Sequence, residues 1–252
     1  MKVLTISSSR VGNSGFLENA IPLIHDFIGK DAINIAFVPF ASVQRDYEEY
    51  GNMVKVALAS LPYSVNTVTP VNAHSVIEKA DVIMIGGGNT FKLLHDIYHY
   101  QLFQLIQNKV KNGTPYIGWS AGANIAGKSI CTTNDMPIIQ PQSFTSFGFL
   151  PFQINPHYIN QTTENFNGET RDQRLEEFVT LNPNVPVIGL PEGTALRLEG
   201  NTLQFIGDKD GVLFQSDANT RPQKMKIAKG EDLSVLLSVS DKVDNNSKVD
   251  KT

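Results

Sequence analysis

Short apolar segments of strand length alternate with amphipathic segments of helical length along the chain as far as residue 190. The predicted strands are residues 3–7, 34–38, 81–85, 116–119 and 185–190. They are almost continuously apolar, which is typical of strands covered on both faces. The segments 16–28, 45–60 and 90–111 predict helices, with a kink or true start at Pro22 and a break near Tyr100. This alternation predicts an α/β fold with a mostly parallel or mixed sheet sandwiched by helices.

The pattern changes after Gly193. Short apolar runs at 194–198, 202–206 and 212–214 are separated by turn sequences that contain Gly200 and Gly211. They predict C-terminal antiparallel β hairpins appended to the main sheet. The last residues are polar and lack apolar periodicity, so we expect a single α/β domain over residues 1–238 and a disordered polar tail over 239–252.

Composition excludes several classes of protein. The formal net charge is −4 and the basic residues are scattered, so no basic cluster points to a nucleic-acid partner. The one cysteine, Cys131, cannot form an internal disulfide and suits a reducing compartment. The N-terminal apolar run is too short for a signal peptide, and no window approaches the ~20 apolar residues of a membrane span. We therefore expect a cytoplasmic protein with no membrane partner.

A candidate nucleophile follows the predicted strand at 116–119. The sequence there is Gly118-Trp119-Ser120-Ala121-Gly122, a Gly-x-Ser-x-Gly pattern, and residues 121–128 can continue as a helix. Small residues on both sides of a serine allow a sharp turn from strand to helix that leaves the hydroxyl exposed at the end of a sheet. The segment therefore predicts a nucleophile elbow.

The chain has five histidines: His25, His74, His95, His99 and His157. The first two lie in or near helical segments and are expected at the surface. His95 and His99 have the i, i+4 spacing of metal ligands, but the metalloprotease glutamate and a third ligand are missing, so no metal site is predicted. His157 lies in a loop-like segment beside a proline, where catalytic residues are often found.

Two carboxylates could orient such a histidine, and the residues by themselves leave the choice open. Glu192 follows a buried-looking strand between proline and glycine, and Asp135 lies in another polar turn. Asp135 would give the chain order Ser, Asp, His of α/β-hydrolases. A long β-rich stretch follows His157, however, and this counts against that fold. Either carboxylate could instead cap a turn.

An oxyanion needs backbone donors, and the residue after the nucleophile, Ala121, supplies one candidate. The glycine-rich turn 86–90 can supply a second, since it follows a strand and lacks the sequences of phosphate-binding loops. Arg171 falls on the inward stripe of a helical segment together with Leu175. Such an arginine either extends its guanidinium to solvent or binds an anion, and its planar fork suits a carboxylate.

Six short motifs, in order along the chain, closely resemble those of the peptidase E family of α-aspartyl dipeptidases. They are Gly86-Gly87-Gly88-Asn89-Thr90, Gly118-Trp119-Ser120-Ala121-Gly122, Asn134-Asp135-Met136-Pro137, Asn155-Pro156-His157-Tyr158, Gly168-Glu169-Thr170-Arg171 and Leu190-Pro191-Glu192-Gly193. The resemblance covers residues 1–237. It implies a fold related to class I glutamine amidotransferases, cleavage of Asp-Xaa dipeptides, no metal and no organic cofactor.

The resemblance also implies a role for each candidate residue. Ser120 would be the nucleophile, His157 the general base and then acid, Glu192 the residue that orients the imidazole, Gly88 and Ala121 the oxyanion donors, and Arg171 the ligand of the substrate's aspartyl carboxylate. The role of Asp135 is open between supporting His157, binding the substrate's amino group and capping a turn, and Asn89 is a further candidate for a supporting role. The expected partner is a small dipeptide, and the expected state is a monomer or homodimer.

Two alternatives are open. A cyanophycinase-like serine hydrolase would act on aspartate-rich polymers, for which a compact chain without an export signal is poorly suited. A non-catalytic binding protein of the same fold would be expected to have lost site residues, yet Ser120, His157 and Glu192 are all present.

Overall fold

The computed structural model describes residues 1–44, 46–161, 167–217 and 220–242. The strands are β1 (Lys2–Ile6), β2 (Ile33–Val38), β3 (Tyr63–Thr67), β4 (Val82–Ile85), β5 (Tyr116–Trp119), β6 (Gln153–Pro156), β7 (Val187–Leu190), β8 (Thr194–Glu199), β9 (Thr202–Gly207), β10 (Gly211–Gln215) and β11 (Gln223–Ile227). The helices are α1 (Ile21–Ile28), α2 (Tyr47–Ala57), α3 (Ala73–Lys79), α4 (Thr90–His99), α5 (Phe103–Lys111), α6 (Ala121–Asn124) and α7 (Arg171–Leu181), and a 3-10 helix spans Ser234–Lys242.

Two sheets form the framework. The larger has seven strands in the order β3-β2-β4-β5-β1-β8-β9. Its first five strands are parallel, and the β8–β9 hairpin adds two antiparallel strands beside β1. The smaller has four strands in the order β11-β10-β7-β6, with β6 and β7 parallel and the other pairs antiparallel. The predicted α/β class with C-terminal antiparallel hairpins is confirmed.

One detail of the predicted topology was wrong. The apolar run that forms β7 was expected in the main sheet, and the run that forms β10 was expected as a hairpin appended to it. Both belong to the smaller sheet. A buried strand is apolar on both faces whichever sheet it joins, so the local pattern cannot assign it to one of two sheets.

Alternate side chains of the main sheet enter two different cores. On one face Leu4, Phe37 and Ile117 pack in a cluster with side chains of α1 and α2. On the other face the cluster contains residues of α3, α4 and α5 together with Ile154 and Ile188 of the smaller sheet. Full burial of one such side chain stabilises the folded state by about 1.5–3 kcal/mol. Because the sheet is packed in this way on both faces, the ends of its strands are held in fixed positions.

Several helix boundaries differ from the predicted ones. The helix expected at 16–28 begins at Ile21, with Pro22 in its first turn, where a proline is tolerated. The helix expected at 45–60 covers Tyr47–Ala57, and its predicted first residue, Arg45, lies outside the described residues. The predicted break near Tyr100 is confirmed, because α4 ends at His99 and Gln101 has a φ of 58°.

The helix expected to run through residue 128 ends at Asn124. The carbonyls of Ile125, Ala126 and Gly127 accept hydrogen bonds from the segment 147–150 instead of continuing the helix. Tertiary hydrogen bonding therefore replaces the last turns of this predicted helix.

Three strands were not predicted. β3 and β11 lie at sheet edges and are largely polar on one side, so they lack the continuous apolar character of the central strands. The segment that forms β6 was predicted as a loop because it contains Asn155 and Pro156. Pro156 is tolerated there because it is the last residue of an edge strand.

The C-terminal 3-10 helix runs past residue 239, where the predicted tail begins. The remainder of that predicted tail, residues 243–252, lies outside the described residues. Within the described ranges, no helix has the length and apolar character needed to cross a membrane.

Candidate active site

The predicted serine, histidine, glutamate and glycine turn lie where four strands end. Ser120 follows β5 directly, His157 follows β6, and Glu192 lies two residues after β7. The glycine turn that begins at Gly86 follows β4. Parallel strands present their carboxyl ends at one edge of a sheet, which is the usual position of sites in α/β proteins. The two sheets therefore contribute to one site.

Ser120 occupies a strained turn. Its φ is 53° and its ψ is −114°, a conformation that costs of order 1–3 kcal/mol for a residue with a side chain. The flanking glycines allow the turn because a Cβ on Gly118 would lie 2.3 Å from the Gly122 carbonyl oxygen, and one on Gly122 would lie 2.2 Å from that of Ile85. The sequence pattern predicted this elbow.

Ser120, His157 and Glu192 form a continuous chain of hydrogen bonds. The distance between Ser120 Oγ and His157 Nε2 is 3.0 Å, and that between His157 Nδ1 and Glu192 Oε1 is 2.8 Å. A carboxylate only accepts hydrogen bonds, so Nδ1 carries the ring proton and Nε2 is free to accept from the serine hydroxyl. This arrangement can remove a proton from Ser120 and return it to a leaving group.

Ser7 supports this arrangement, although it is not among the predicted site residues. Its fully buried hydroxyl accepts a hydrogen bond from the His157 backbone N–H at 3.0 Å and donates one to the Leu190 carbonyl at 2.7 Å. It thereby joins the end of β1 to the ends of β6 and β7. In the sequence it is only a polar residue after an apolar strand, so no local signal marks it.

The glycine turn packs directly against the nucleophile. A Cβ on Gly87 would lie 2.8 Å from Ser120 Cβ. Gly88 has a φ of 137°, and a Cβ there would lie 2.4 Å from the Ala41 carbonyl oxygen. In the part of the chain that the structure describes, the N–H groups of Gly88 and Ala121 donate to no acceptor. Two free backbone donors are therefore available beside Ser120.

Tyr50, on α2, orients this turn. Its hydroxyl donates to the Gly87 carbonyl at 3.2 Å and accepts from Trp119 Nε1 at 3.1 Å. The carbonyl and the N–H of one trans peptide group point in opposite directions, so the Gly88 N–H is directed away from Tyr50. Burial raises the pKa of Tyr50 to about 12, and the hydroxyl keeps its proton. Tyr50 was not predicted as a site residue because in the sequence it resembles an ordinary aromatic residue on a helix.

Ser120 opens onto a small cavity of about 210 Å³. Its lining contains one positively charged side chain, Arg171, which could bind a carboxylate, and one negatively charged side chain, Asp135, which could bind an ammonium group. The residues that line it are Thr90, Ser120, Ala121, Thr133, Asn134, Asp135, Pro156, His157 and Arg171. A cavity of this size with both charges suits a small zwitterionic molecule.

Arg171 is the first residue of α7 and turns inward. The helix start is held by a capping box in which Thr170 Oγ1 accepts from the Gln173 N–H and Gln173 Oε1 accepts from the Thr170 N–H. Arg171 Nη1 donates to Asn155 Oδ1 at 3.3 Å. Burial and the nearby charge of Arg174 lower the pKa of Arg171. Both effects disfavour an unpaired cation, so the guanidinium is suited to bind an anion.

Asp135 lines the cavity and binds the start of α4, whose N-cap residue is Asn89. Asp135 Oδ2 accepts from the Thr90 N–H at 2.7 Å, and Asn89 Oδ1 accepts from the Lys92 N–H at 3.0 Å. Asn89 Nδ2 also donates to the Met136 carbonyl at 2.9 Å. Asp135 forms no hydrogen bond with His157 among the described residues. The carboxylate bonded to the imidazole is that of Glu192.

The pair His95 and His99 lies away from this site on α4. Their rings stack with centroids 5.7 Å apart, and His95 Nδ1 is 2.9 Å from Asp96 Oδ1. Across the described ranges, no group of three or more His, Cys, Asp and Glu side chains is arranged to hold a metal ion.

Comparisons with known proteins identify the family of this chain. Residues 3–206 match the model of "Peptidase family S51". A protein named Peptidase E from Shewanella amazonensis (strain ATCC BAA-1098 / SB2B) is 45% identical over 238 residues, which cover 94% of this chain and 99% of that protein. A second Peptidase E, from Pasteurella multocida (strain Pm70), is 46% identical over 217 residues, covering 85% and 93% of the two chains.

Solved structures share the fold. A candidate peptidase E protein from Listeria monocytogenes EGD-e superposes with a TM-score of 0.62 at 22% identity, covering 82% of this chain and 98% of that one. A peptidase from an acI-B1 actinobacterium gives a TM-score of 0.63 at 18% identity, covering 92% and 96%. At these identities the superpositions support the fold, whereas the family match and the closer sequence relatives support the activity. The chain belongs to peptidase family S51 and is a serine peptidase.

Proposed function

We propose that this serine peptidase hydrolyses dipeptides with an N-terminal aspartate, Asp-Xaa, through an acyl-enzyme on Ser120. The observation that carries the proposal is the cavity itself, which Ser120 shares with Asp135 and with Arg171, an arginine that pairs with no carboxylate among the described residues. An N-terminal aspartyl residue presents a side-chain carboxylate and an α-ammonium group, which match these two charges. The relatives named Peptidase E and the motif resemblance agree with this assignment.

In the proposed reaction Ser120 Oγ attacks the peptide carbonyl as His157 Nε2 takes its proton. His157 then gives the proton to the leaving amine, and the C–N bond breaks to leave an aspartyl ester on Ser120. Water, deprotonated by the same imidazole, hydrolyses the ester and restores the serine. Glu192 keeps the imidazole in the reactive tautomer and stabilises its cationic form. The hydrogen bonds at 3.0 Å and 2.8 Å support these roles.

The developing oxyanion is bound by the N–H groups of Gly88 and Ala121. These N–H groups donate to no acceptor among the described residues, Ala121 follows Ser120 directly, and Gly87, next to Gly88, packs against Ser120. Loss of one such donor typically lowers the rate by about 10²–10³.

Arg171 binds the aspartyl carboxylate of the substrate, and Asp135 accepts a hydrogen bond from its α-ammonium group. The cavity of about 210 Å³ holds one residue of this size, which favours a dipeptide over a polymer with an aspartate backbone. Asparagine would leave the half-buried cation without a carboxylate to pair with and should be rejected strongly. No cofactor is required by this chemistry. A cytoplasmic location and a monomeric or homodimeric state complete the proposal.

The test is the hydrolysis of Asp-Leu, Asn-Leu and Glu-Leu side by side, with a chelator present and Ser120→Ala as control. Cleavage confined to Asp-Leu, lost in the variant and insensitive to the chelator, is the expected result. Arg171→Lys should also lose most of its Asp-Leu activity, because a point charge lacks the fork geometry of arginine. Cleavage of polyaspartate-based polymer in place of Asp-Leu would instead favour the cyanophycinase-like alternative.

A further inference from the structure

Asn155 lies on β6, two residues before His157, and its side chain is buried at 1% exposure. Its amide nitrogen donates to the Thr132 carbonyl and to Asn134 Oδ1, both at 2.7 Å. A backbone carbonyl can only accept, so the amide cannot be flipped without losing this bond. The amide oxygen of Asn155 is thereby directed toward Arg171.

The carboxylates nearest to Arg171 in the sequence are engaged elsewhere. Glu169 faces Arg174 at 3.7 Å, and Asp172 binds Lys224 at 2.6 Å and the Tyr158 hydroxyl at 2.5 Å. Asn155 Oδ1 is the one hydrogen-bond acceptor that Arg171 has within the described ranges. The cation is therefore held in place by a neutral oxygen.

We propose that Asn155 is a specificity-determining residue that orients Arg171 without neutralising it, so that the substrate's own carboxylate supplies the counter-charge. The inference rests on the proposed Asp-Xaa specificity and names a further residue that produces it. A carboxylate at position 155 would pair with Arg171 permanently. It would also repel the substrate's carboxylate, and the site would then lose its preference for a charged side chain over the neutral amide of asparagine.

The size of the effect follows from the closeness of the groups. A full charge within about 4–6 Å of an ionisable group changes the proton-binding constant of that group by about one to three orders of magnitude, which gives the strength of such charge–charge effects. The ratio of kcat/KM for Asp-Leu to that for Asn-Leu should therefore fall at least about tenfold in Asn155→Asp. Most of the loss should appear as a higher KM for Asp-Leu, because the change acts on binding and not on the bond-breaking step.

The experiment compares Asn155→Asp with the neutral variant Asn155→Ser, using both dipeptides. Asn155→Ser removes the buried amide without adding charge, so it should lower activity on both substrates and keep the preference for Asp-Leu. A purely structural role of Asn155 predicts that Asn155→Asp behaves as Asn155→Ser does, losing activity on the two dipeptides in the same proportion and keeping the ratio. The selectivity ratio therefore separates charge from packing.

Asn155→Asp faces two acceptor oxygens and could fail to fold, so a second variant is included. Asn134 lines the same cavity, and Asn134→Asp keeps an oxygen that accepts from Asn155 Nδ2 while adding a negative charge one side chain away from Arg171. It gives up the hydrogen bond from Asn134 Nδ2 to the Pro156 carbonyl, so its folded state is checked as well. It should reduce the ratio in the same direction. Labelling of Ser120 by a fluorophosphonate and the thermal unfolding midpoint report whether each variant retains its folded site.

The outcomes are distinct. A wild-type enzyme that does not prefer Asp-Leu overturns the proposed function, and this inference with it. A wild-type enzyme with that preference, together with folded Asp variants that keep the ratio within about threefold of wild type, overturns the inference alone. A ratio that falls at least tenfold in a folded Asp variant and is retained in Asn155→Ser supports it.

Discussion

The Tyr50 hydroxyl and the Gly87 carbonyl form a hydrogen bond of 3.2 Å that links α2 to the turn after β4. The peptide group that accepts this bond carries the N–H of Gly88, one of the two free donors beside Ser120. Tyr50 is itself held by Trp119, the residue before the nucleophile, at 3.1 Å. One partly buried hydroxyl therefore links the turn to the elbow.

Tyr50→Phe should lower kcat about three- to tenfold and leave KM nearly unchanged. The variant keeps the aromatic packing and loses one hydrogen bond, which is worth about 0.5–1.5 kcal/mol. The looser peptide group would bind the oxyanion less well, an effect confined to the transition state. Steady-state kinetics on Asp-Leu measure both constants.

Tyr63→Phe is the matched control for this prediction. Tyr63 also donates its hydroxyl proton to a backbone carbonyl, that of Gly29, but it lies on the edge strand β3. We expect a comparable loss of stability and an unchanged kcat. Equal kcat values for the two variants would contradict the role assigned to Tyr50.

Gly88→Ala should reduce kcat by roughly 10²–10³, the usual effect of losing an oxyanion donor. The new Cβ would lie 2.4 Å from the Ala41 carbonyl oxygen, so the turn must move. Gly113→Ala is the control, since Gly113 also has a positive φ, of 108°, but its Cβ would meet no atom within 4 Å. A similar kcat for both alanine variants would show that backbone strain alone explains the loss.

Ser7→Ala should destabilise the fold by about 1–3 kcal/mol and lower kcat. The change removes the hydroxyl that accepts from the His157 N–H and donates to the Leu190 carbonyl. A buried polar group left without a hydrogen-bond partner typically costs about 1–3 kcal/mol of stability. Urea unfolding measures the stability, and kinetics at saturating Asp-Leu measure kcat. Ser7→Thr keeps the hydroxyl and should retain part of the activity. Full activity of Ser7→Ala would mean that His157 is positioned by its other contacts.

Asp96→Asn should lower the free energy of unfolding by about 3–5 kcal/mol near neutral pH, because it leaves the buried charge of Lys92 unpaired. The ion pair is 2.6 Å long, and both side chains are only 6% exposed. Burial alone would raise the pKa of Asp96, but hydrogen bonds from Lys92 and His95 outweigh it and lower the pKa below its usual value.

The same pair predicts a pH dependence. A carboxylate whose pKa is lowered by folding adds stability above its unfolded pKa, about 3.9 for aspartate, and that stability is lost as the pH falls through the folded value. The difference between wild type and Asp96→Asn should therefore shrink as the pH is lowered from about 5 toward 2. Denaturant titrations at several pH values measure it, and a constant difference would contradict the prediction.

The elbow, the glycine turn and the central parallel strands were predictable because their signals are local. Gly118 and Gly122 flank Ser120 in the sequence, and the close backbone approaches they permit lie within one turn and its neighbouring strand. The apolar runs of β1, β2, β4 and β5 are likewise long enough and uniform enough to mark buried strands. Edge strands such as β3 and β11 carry polar residues and were missed.

The choice between Glu192 and Asp135 could not be made from residue patterns, because both are carboxylates in polar turns. In the structure β6 and β7 pair in parallel, with Pro156 opposite Leu190. The residues that follow, His157 and Glu192, are therefore brought side by side. Asp135 instead accepts from the start of α4. Resemblance to known sequences favoured Glu192, and the strand register supplies the physical reason.

The sequence by itself determined the α/β class, the strained serine turn and the set of candidate side chains, since these depend on periodicity and on glycines within a few residues. Only the tertiary structure decided that β6 and β7 form a second sheet, that Ser7 and Tyr50 support the site, and that Arg171 faces a neutral oxygen. These relationships join residues that are distant in the chain. They depend on which apolar faces are buried together and on which strand ends then become neighbours. Local sequence patterns specify neither of these.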